Sequence, residues 1–392
     1  MTPILKRILL GGNSLVNQIL AAFMARVSAN GGTTEATSCV TTKLQDIDTK
    51  SLLQSATFAL IPSGIKAGTV FAELPNNGNG DLTFTRTTAA TNGVTRVNSG
   101  SVIENVPPNT PRIDYSQGGC PNLLLEPQRV NYALNSDTGT TQTITGLTIG
   151  RVYTLSFYGT GNIVYSVGAT GTLTGTGAFP TRVSVTLTMA ATSILLTVTG
   201  TVTYLQFEGT GSANPASYAT SYIPTTSGAA TRNAESFTRN NIYTNGLIGA
   251  SGGTWFVELK NNVALTRDQF SQSIGLGNSG ALVNAFYLVG QGSSSKFTIR
   301  KLVATAENTL YVSTATNCKL VFIWDGSVMS IYENGVKMVL LNNTGGDGKA
   351  TSFTPTNMDS FFGGANDVPK YISQMALWNT PLSDAQCIAF TS

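Results

Sequence analysis

Histidine is absent from the sequence, and charged residues are few. Of 392 residues none is His and only 11% are Asp, Glu, Lys or Arg, against about 25% in an ordinary soluble domain. Without imidazole, Ser-His-Asp and Cys-His-Asn catalysis and histidine-ligated metal sites are excluded. The net charge of +3 is close to neutral for this length. It therefore indicates no basic field for nucleic acid.

Cysteines are few and far apart. The four are Cys39, Cys120, Cys318 and Cys387, with no C-x-x-C pair among them. This spacing argues against a zinc site, and the density is too low for a disulfide scaffold. Cys318 and Cys387 fall in one C-terminal region. We expect two ordinary buried thiols there, with a bond between them as the alternative.

Long hydrophobic runs are also missing, and the first apolar residues follow a helical pattern. Runs such as residues 19–25 fall short of the roughly 20 residues of a membrane span. Over residues 3–28, apolar residues recur at three- and four-residue steps, which predicts an amphipathic helix. A signal peptide is the alternative, but Gly and Asn interrupt its hydrophobic region. The helix either packs on its own domain or anchors and trimerises the chain. Its apolar stripe comprises Leu5, Ile8, Leu9, Val16, Ile19, Leu20, Phe23 and Val27.

Beyond this helix, the abundance of Gly, Thr, Ser and Asn is typical of short strands and tight turns. Residues 29–42 have the composition of a linker, and residues 43–54 carry a second, weak helical pattern. Evenly spaced alternating runs between residues 138 and 208 predict an antiparallel sandwich. Residues 319–341 predict a hairpin, because Asp-Gly and Asn-Gly favour the positive φ of tight turns. A strand at 371–378 and a short helix capped by Ser383 close a second sandwich.

Three phrases in the C-terminal region are distinctive. They are G-T-W-F-V at 253–257, W-D-G…Y-x-N-G at 324–335 and I-S-Q-M-A-L-W-N-T-P-L-S-D-A at 372–385. Together they resemble concanavalin A-like, laminin-G-type lectin and glucanase domains. The resemblance implies a jelly-roll sandwich that binds carbohydrate.

Further phrases lie upstream. They are P-S-G-I-K-A-G at 62–68, T-R-V-N-S-G-S-V-I-E-N-V at 95–106, P-R-I-D-Y at 111–115, C-P-N-L-L-L-E-P-Q-R-V-N at 120–131, and S-Y-I-P-T-T with A-A-T-R-N-A-E between 221 and 235. These phrases are similar to shared modules of tailed-bacteriophage virion proteins. The resemblance implies a fibre, spike or decoration protein of head or tail, commonly trimeric.

Patterns and resemblances together predict a mainly β fold. We expect tandem antiparallel β-sandwiches, lectin/glucanase-like at the C-terminus, after a short N-terminal α-helical anchor. The predicted domains are the helix and linker (1–42), a small β-rich adaptor (43–135), a carbohydrate-module-like sandwich (136–232) and a laminin-G-like sandwich (233–392).

Glycan binding is the first function to consider, since sugars stack on aromatic faces and bind polar side chains. The three tryptophans, Trp255, Trp324 and Trp378, lie in alternating strands, so we predict that they pack in a core. Residues on predicted loops are the better glycan-binding candidates. These candidates are Asn278, Asn284, Tyr287, Asn366 and Asp367.

Calcium is the one cofactor that the resemblance suggests, because laminin-G-type domains often carry it near their loops. Calcium needs six to eight oxygen ligands. Asp347, Asp359 and Asp367 are the candidate ligands, but the sequence has no D-x-D-x-D-G run.

Glycoside hydrolysis is a distant alternative, because this fold also hosts glucanases. Those enzymes carry an E-x-D-x-x-E strand, whose alternation places the acids on one face. The sequence has no such triple, and Glu258 and Glu333 have no acid two residues on. We therefore expect no enzymatic activity.

Two groups of charged residues have structural interpretations. Glu126 and Arg129, in L-E-P-Q-R, suggest a buried or half-buried ion pair that fixes the join between modules. Arg112 and Asp114 are likewise interpreted as structural residues.

The sequence thus predicts a structural virion protein that presents a lectin-like domain to host or mucosal glycans. Its expected partners are other virion proteins (capsid, portal or tail) and copies of itself in a trimer. Neither nucleic acid nor a membrane is expected. It would be made in the host cytoplasm and located on the particle surface. The alternative is a purely architectural capsid or tail protein with no ligand.

Overall fold

The computed structural model describes residues 15–87, 94–210, 217–250, 252–260, 271–277, 285–291, 296–303, 306–313, 315, 317–325, 328–340, 359–364 and 370–392. The chain divides into two compact units. Unit 1 combines Met1–Thr85, Asn109–Leu125 and Ser236–Ser392, and unit 2 combines Arg86–Pro108 and Glu126–Glu235. The chain therefore leaves unit 1 twice and returns to it twice.

Helices are few and strands are many in the described residues. The helices are α1 (Leu15–Ala29), α2 (Thr37–Thr49) and α3 (Asp384–Thr391). The strands of the first half are β1 (Thr33–Thr34), β2 (Phe58–Leu60), β3 (Gly64–Lys66), β4 (Thr69–Phe71), β5 (Leu82–Thr85), β6 (Thr95–Val97), β7 (Ile103–Asn105), β8 (Arg112–Asp114), β9 (Asn122–Leu125), β10 (Arg129–Asn131), β11 (Gln142–Thr145), β12 (Val152–Gly159), β13 (Asn162–Val167), β14 (Gly171–Thr174) and β15 (Gly177–Thr188). The later strands are β16 (Ser193–Thr199), β17 (Thr203–Gly209), β18 (Ala230–Arg232), β19 (Ser236–Asn240), β20 (Gly252–Lys260), β21 (Ser271–Gly277), β22 (Ala285–Gln291), β23 (Lys296–Val303), β24 (Ala306–Ser313), β25 (Cys318–Asp325), β26 (Val328–Glu333), β27 (Val336–Lys337), β28 (Ser360–Gly364) and β29 (Lys370–Trp378). The predicted mainly β fold is confirmed.

Unit 1 is built on two antiparallel sheets. Sheet A has the order β1-β3-β4-β5-β19-β28-β21-β22-β23-β24, and sheet B has the order β27-β26-β25-β20-β29-β9-β8, with β2 also paired to β29. Strands far apart in sequence lie side by side. Phe84 of β5 pairs with Phe237 of β19, and β9 pairs with β29. The predicted serial division differs from this arrangement, because strands of residues 43–135 and of residues 233–392 share both sheets.

Strand β20 shows why sheet B is apolar on both faces. Trp255 and Val257 face the core between the sheets, while Phe256 faces a second core on the other side of sheet B. Successive side chains of a strand point to opposite faces, so a strand covered on both sides needs apolar residues at consecutive positions. All three tryptophans, including Trp324 and Trp378, are buried. The prediction that they are core residues is confirmed.

The second core is closed by the helices. The apolar stripe of α1 packs there with residues of sheet B such as Phe256. Its buried members are Val16, Ile19, Leu20, Phe23 and Val27. The stripe thus packs on its own unit, so an oligomer, which stays a prediction, would need another surface. The other predicted anchor residues, Leu5, Ile8 and Leu9, lie outside the described residues.

Helix α2 begins inside the segment that composition assigned to a linker. Val40, Leu44 and Ile47 are its buried residues, and the prediction of a helix over residues 43–54 missed the first turns because Val40 is isolated among polar residues. Helix α3 has the predicted cap: the Ser383 side chain accepts a hydrogen bond from Gln386 N in a capping box. No helix in the described ranges is long and apolar enough to span a membrane.

Unit 2 contains its own antiparallel sandwich. One sheet has the order β15-β12-β17-β10-β18, the other has the order β11-β16-β13-β14, and β6 and β7 form a hairpin. Leu155 and Phe157 of β12 and Leu205 and Phe207 of β17 are buried in its core. These alternating pairs confirm the strands predicted between residues 138 and 208.

Cys39 and Cys120 form a disulfide, which the sequence analysis did not predict. The bond joins α2 to the turn between β8 and β9, two segments 81 residues apart in the sequence. Cys318 and Cys387 are buried thiols that form no disulfide, as expected. Burial raises the pKa of the Cys387 thiol to about 12.

Candidate functional site

Most of the predicted glycan-binding residues lie outside the described residues. These are Asn278, Asn284, Asn366 and Asp367. Tyr287 was placed on a loop by the sequence analysis, but it lies within strand β22, paired with Arg300 of β23. A glycan site at these positions stays a prediction.

Of the predicted calcium ligands, Asp359 alone lies within the described residues, and Asp347 and Asp367 lie outside them. The Asp359 carboxylate accepts hydrogen bonds from Tyr243 N at 2.8 Å and from Thr244 N and Oγ1 at 3.3 Å. These bonds fix the turn after β19. Within the described ranges, no group of three or more Asp, Glu or Cys side chains is placed to hold a metal ion. Calcium stays a prediction.

The charged side chains of both groups are buried. Glu126 has a partner that the sequence analysis did not name. Its carboxylate pairs with Arg232 at 2.9 Å. The guanidinium of Arg129 lies over the ring of Tyr218, 5.0 Å from the centroid. Arg112 and Asp114 are both buried in β8.

Unit 2 carries an open cleft of about 310 Å³ in which aromatic and hydrogen-bonding side chains come together. Its walls come from the β6–β7 hairpin, the start of β17 and the segments near residues 137 and 223. We call it the tyrosine cleft. Its lining residues are Thr95, Ile103, Glu104, Asn105, Asp137, Thr203, Tyr204, Tyr222 and Pro224.

Tyr204 reaches this cleft through a β-bulge at the start of β17. Ser156 of β12 pairs with Gln206, and Tyr158 pairs with Thr203, so two residues of β17 oppose one residue of β12. Within the bulge Tyr204 has a φ of 50°. This left-handed conformation costs a bulky residue roughly 1–2 kcal/mol. Bulges redirect side chains and are frequent next to binding sites, so the strain accompanies a side chain directed into the cleft.

The Tyr204 ring is held in an aromatic row. It lies edge-on to Tyr222, with the ring centroids 4.9 Å apart, and edge-on to Tyr158 at 5.9 Å. Phe179 extends the row beyond Tyr158 at 5.4 Å. Edge-to-face contacts are favourable for aromatic rings. The row therefore fixes the orientation of Tyr204, which is only half-buried.

Hydroxyl and carboxylate groups sit beside the row. The Tyr222 hydroxyl donates to Asp137 Oδ1 at 2.6 Å and lies 2.6 Å from Ser136 Oγ. Burial, and then the adjacent Asp137, raise the pKa of Tyr222 above its ordinary value. Tyr222 therefore keeps its proton and orients the exposed Asp137 carboxylate at the cleft.

A second carboxylate, Glu104, is held in place on the hairpin. Arg96 Nε donates to its Oε1 at 2.6 Å, and Asn98 Nδ2 donates to its Oε2 at 2.8 Å. Burial alone would raise the pKa of Glu104, but Asn98 and Arg96 outweigh it and hold that pKa below its usual range. With Asp137, the cleft carries two carboxylates near one arginine.

This arrangement suits recognition of a ligand with many hydroxyl groups. Carboxylate and amide groups bind hydroxyls, and aromatic rings pack on the C–H faces of such a ligand. The sequence analysis missed Tyr204, although a signal existed. Leu205 and Phe207 set the core-facing phase of β17, and Tyr204 is an aromatic residue in the opposite phase.

Comparisons with known proteins find structural similarity over part of the chain only. No family model matches the chain, and no curated protein matches it. Among solved structures, the chain is similar to a Ruminococcus gnavus IT-sialidase CBM40 bound to α2,3-sialyllactose, at 17% identity and a TM-score of 0.28, covering 37% of this chain and 84% of that one. It is also similar to a mutant of the NanB sialidase from Streptococcus pneumoniae, at 13% identity and a TM-score of 0.28, covering 38% of this chain. A Trypanosoma rangeli sialidase mutant displaying trans-sialidase activity is 11% identical, with a TM-score of 0.29 and 40% of this chain covered. The matches span 25% and 26% of these two sialidase chains.

Proposed function

We propose that this protein binds carbohydrate through the tyrosine cleft of unit 2. The observation that carries the proposal is the bulge that directs Tyr204 into the cleft in a left-handed backbone conformation. Strained residues concentrate at functional sites, where the surrounding structure maintains them. Here the aromatic row and the Tyr222–Asp137 hydrogen bond supply that support.

The charges of the cleft define the class of sugar. Asp137 and Glu104 contribute two negative charges, and Arg96, bound to Glu104, contributes one positive charge. A negative cleft repels acidic saccharides, because like charges brought together in a partly dehydrated site are unfavourable. We therefore expect an uncharged saccharide, with its ring against Tyr204 and its hydroxyls on Asp137 and Asn105.

The biological setting that we propose is adhesion by a tailed-phage virion protein without enzymatic activity. The virion-protein-like phrases between residues 62 and 235 support this setting by resemblance. Several copies on one particle would raise a weak single-site affinity through their effective concentration. Purified particles probed with an antibody to this chain test the setting, since particles without label would contradict it.

A glycan array with the full chain and its variants tests the cleft. Tyr204→Ala should lower the signal for uncharged glycans at least about tenfold, because the aromatic contact is lost. Tyr204→Phe should retain most of it, because the ring remains. Asp137→Asn should weaken binding to a smaller extent, since the amide keeps one acceptor.

Asp48→Asn is the matched control for Asp137→Asn, because Asp48 is an exposed aspartate on α2, far from the tyrosine cleft in sequence and part of unit 1. It should bind as the parent protein does. If the parent protein binds no glycan, or Tyr204→Ala binds as strongly as the parent, the proposal is wrong and the architectural alternative is favoured.

A further inference from the structure

Unit 1 has a second cleft, of about 360 Å³, whose charge is opposite to that of the tyrosine cleft. It lies at the end of strands β20 and β29 and is bordered by α2 and the β8–β9 turn. We call it the lysine cleft. Its charged and polar lining includes Lys43, Gln117, Glu258, Lys260, Asn317 and Ser373.

The lysine cleft is organised around one carboxylate and two ammonium groups. Lys43 Nζ lies 2.6 Å from Glu258 Oε2, and Lys260 Nζ lies 2.9 Å from Glu258 Oε1. Lys43 Nζ also donates to Ser373 Oγ at 2.9 Å. Each oxygen of the Glu258 carboxylate thus has an ammonium partner. The carboxylate and the two ammonium groups together carry a net charge of +1.

The two lysines favour the ionised form of the Glu258 carboxylate. Burial alone would raise the pKa of Glu258, but Lys43 and Lys260 outweigh it and hold that pKa below its usual range. Burial lowers the pKa of Lys43, and the Glu258 carboxylate opposes this effect. Lys319 adds positive charge near Lys43. The excess charge at the cleft is therefore positive.

A disulfide bond fixes the position of the helix turn that carries Lys43. Cys39 and Lys43 are four residues apart on α2, so their side chains lie on the same face of the helix. The Cys39–Cys120 disulfide ties that face to the turn that carries Gln117. Lys43 is consequently held close to the opposite wall of the cleft. A binding group held in this way loses little conformational freedom when a ligand arrives.

We propose that the lysine cleft binds the carboxylate of a small acidic ligand, with Lys43 and Lys260 as the binding residues. One excess positive charge matches one carboxylate. Each ammonium has three donors; Lys43 uses two of them on Glu258 and Ser373, and Lys260 uses one on Glu258. Gln117, Asn317 and Ser373 offer neutral hydrogen-bonding groups beside that charge. The proposal does not depend on the tyrosine cleft.

Ligand-observed NMR titration of the full chain with glucuronate and glucose tests this proposal. Glucuronate carries a carboxylate where glucose carries a hydroxymethyl group. Glucuronate should bind more tightly than glucose, and added salt should weaken its binding. Lys260→Met should weaken glucuronate binding about fivefold or more, which is the effect of losing about 1 kcal/mol from one charge pair. Lys50→Met, which removes the lysine that follows α2 and pairs with Asp46, should have no effect.

Two further variants separate binding from a purely structural role. Glu258→Gln removes the carboxylate that competes for both lysines, so in a sample that keeps the parent far-UV spectrum glucuronate should bind more tightly. Tyr204→Ala should leave glucuronate binding unchanged, so failure of the tyrosine cleft and failure of this site are distinguishable. Inorganic phosphate is the alternative probe. Equal binding of glucuronate and glucose, preference for phosphate over glucuronate, or unchanged binding in Lys260→Met would overturn the proposal.

Discussion

Buried glutamates of unit 2 are held in a different way from Glu73 of unit 1. In unit 2, Glu126 pairs with Arg232 at 2.9 Å and Glu235 pairs with Arg86 at 2.8 Å, and all four side chains are at most 3% exposed. In unit 1, the fully buried Glu73 accepts hydrogen bonds from Ile61 N at 2.7 Å and Ser63 Oγ at 3.1 Å, both neutral donors. The Glu126 and Glu235 carboxylates are therefore held in ion pairs, whereas the Glu73 carboxyl group favours its neutral form.

This difference has a physical consequence. A buried carboxylate paired with arginine stays charged, and removal of the arginine leaves an uncompensated charge in a region of low polarity. A buried carboxyl held by neutral donors resists ionisation instead. Burial accordingly raises the pKa of Glu73 to about 8, even though its hydrogen bonds oppose the shift. Stability should therefore fall strongly when an arginine paired with Glu126 or Glu235 is removed, and Glu73 should make stability depend on pH.

The largest effect is expected from Arg232→Leu. The variant removes the guanidinium that pairs with the buried Glu126 carboxylate, which should lower the free energy of unfolding by about 4 kcal/mol. Urea denaturation followed by far-UV circular dichroism measures this loss. Lys50→Met is the control, because it removes an ion pair with the half-exposed Asp46, and its effect should stay below about 1 kcal/mol. Similar losses in both variants would contradict the distinction between buried and exposed pairs.

The next largest effect is expected in the second core of unit 1, where α1 packs on sheet B. Phe23→Ala should lower the free energy of unfolding by about 3 kcal/mol, because it leaves a cavity where a fully buried ring packs closely over Gly64. Tryptophan fluorescence during urea denaturation reports it, since all three tryptophans lie in unit 1. Val339→Ala, at a residue 87% exposed, should change stability by less than about 0.5 kcal/mol.

Light scattering on Phe23→Ala tests whether the α1 stripe also joins chains in an oligomer. Because the α1 stripe packs within its own unit, the folded variant should keep the molar mass of the parent protein. A parent trimer that dissociates in the variant would show that this stripe also joins chains, and would contradict the assignment of Phe23 to an internal core.

A smaller effect is expected from Glu73→Gln, and it appears as a change in pH dependence. The Glu73 pKa rises from 4.5 to about 8 on folding, so the stabilisation is complete below the unfolded value and is lost as pH rises toward 8. The parent protein should lose roughly 2–3 kcal/mol between pH 5 and pH 7 from this group. Glu73→Gln, which cannot ionise, should lack that part of the slope. Parallel stability curves for the two proteins would contradict the raised pKa.

Local patterns predicted local structure well. The alternation of Leu205 and Phe207, the Ser383 cap and the Asn334–Gly335 turn all appear as expected, and both residues of that turn have positive φ. Each depends on residues a few positions apart, where backbone geometry limits the choices. The candidate clefts depend on residues tens to hundreds of positions apart. Periodicity could place Tyr204 on the outer face of β17, but it could not show which distant segments would surround that side chain.

The sequence by itself determined that this chain forms antiparallel β-sandwiches with its tryptophans inside and an amphipathic helix near its start. Alternation and helical spacing encode which face of each element avoids water. Only the tertiary structure decided that Glu126 meets Arg232, that Cys39 meets Cys120, and that Tyr204 turns into a cleft. Those outcomes depend on strand register and on pairing between distant segments, and register is set when whole hydrophobic faces come together.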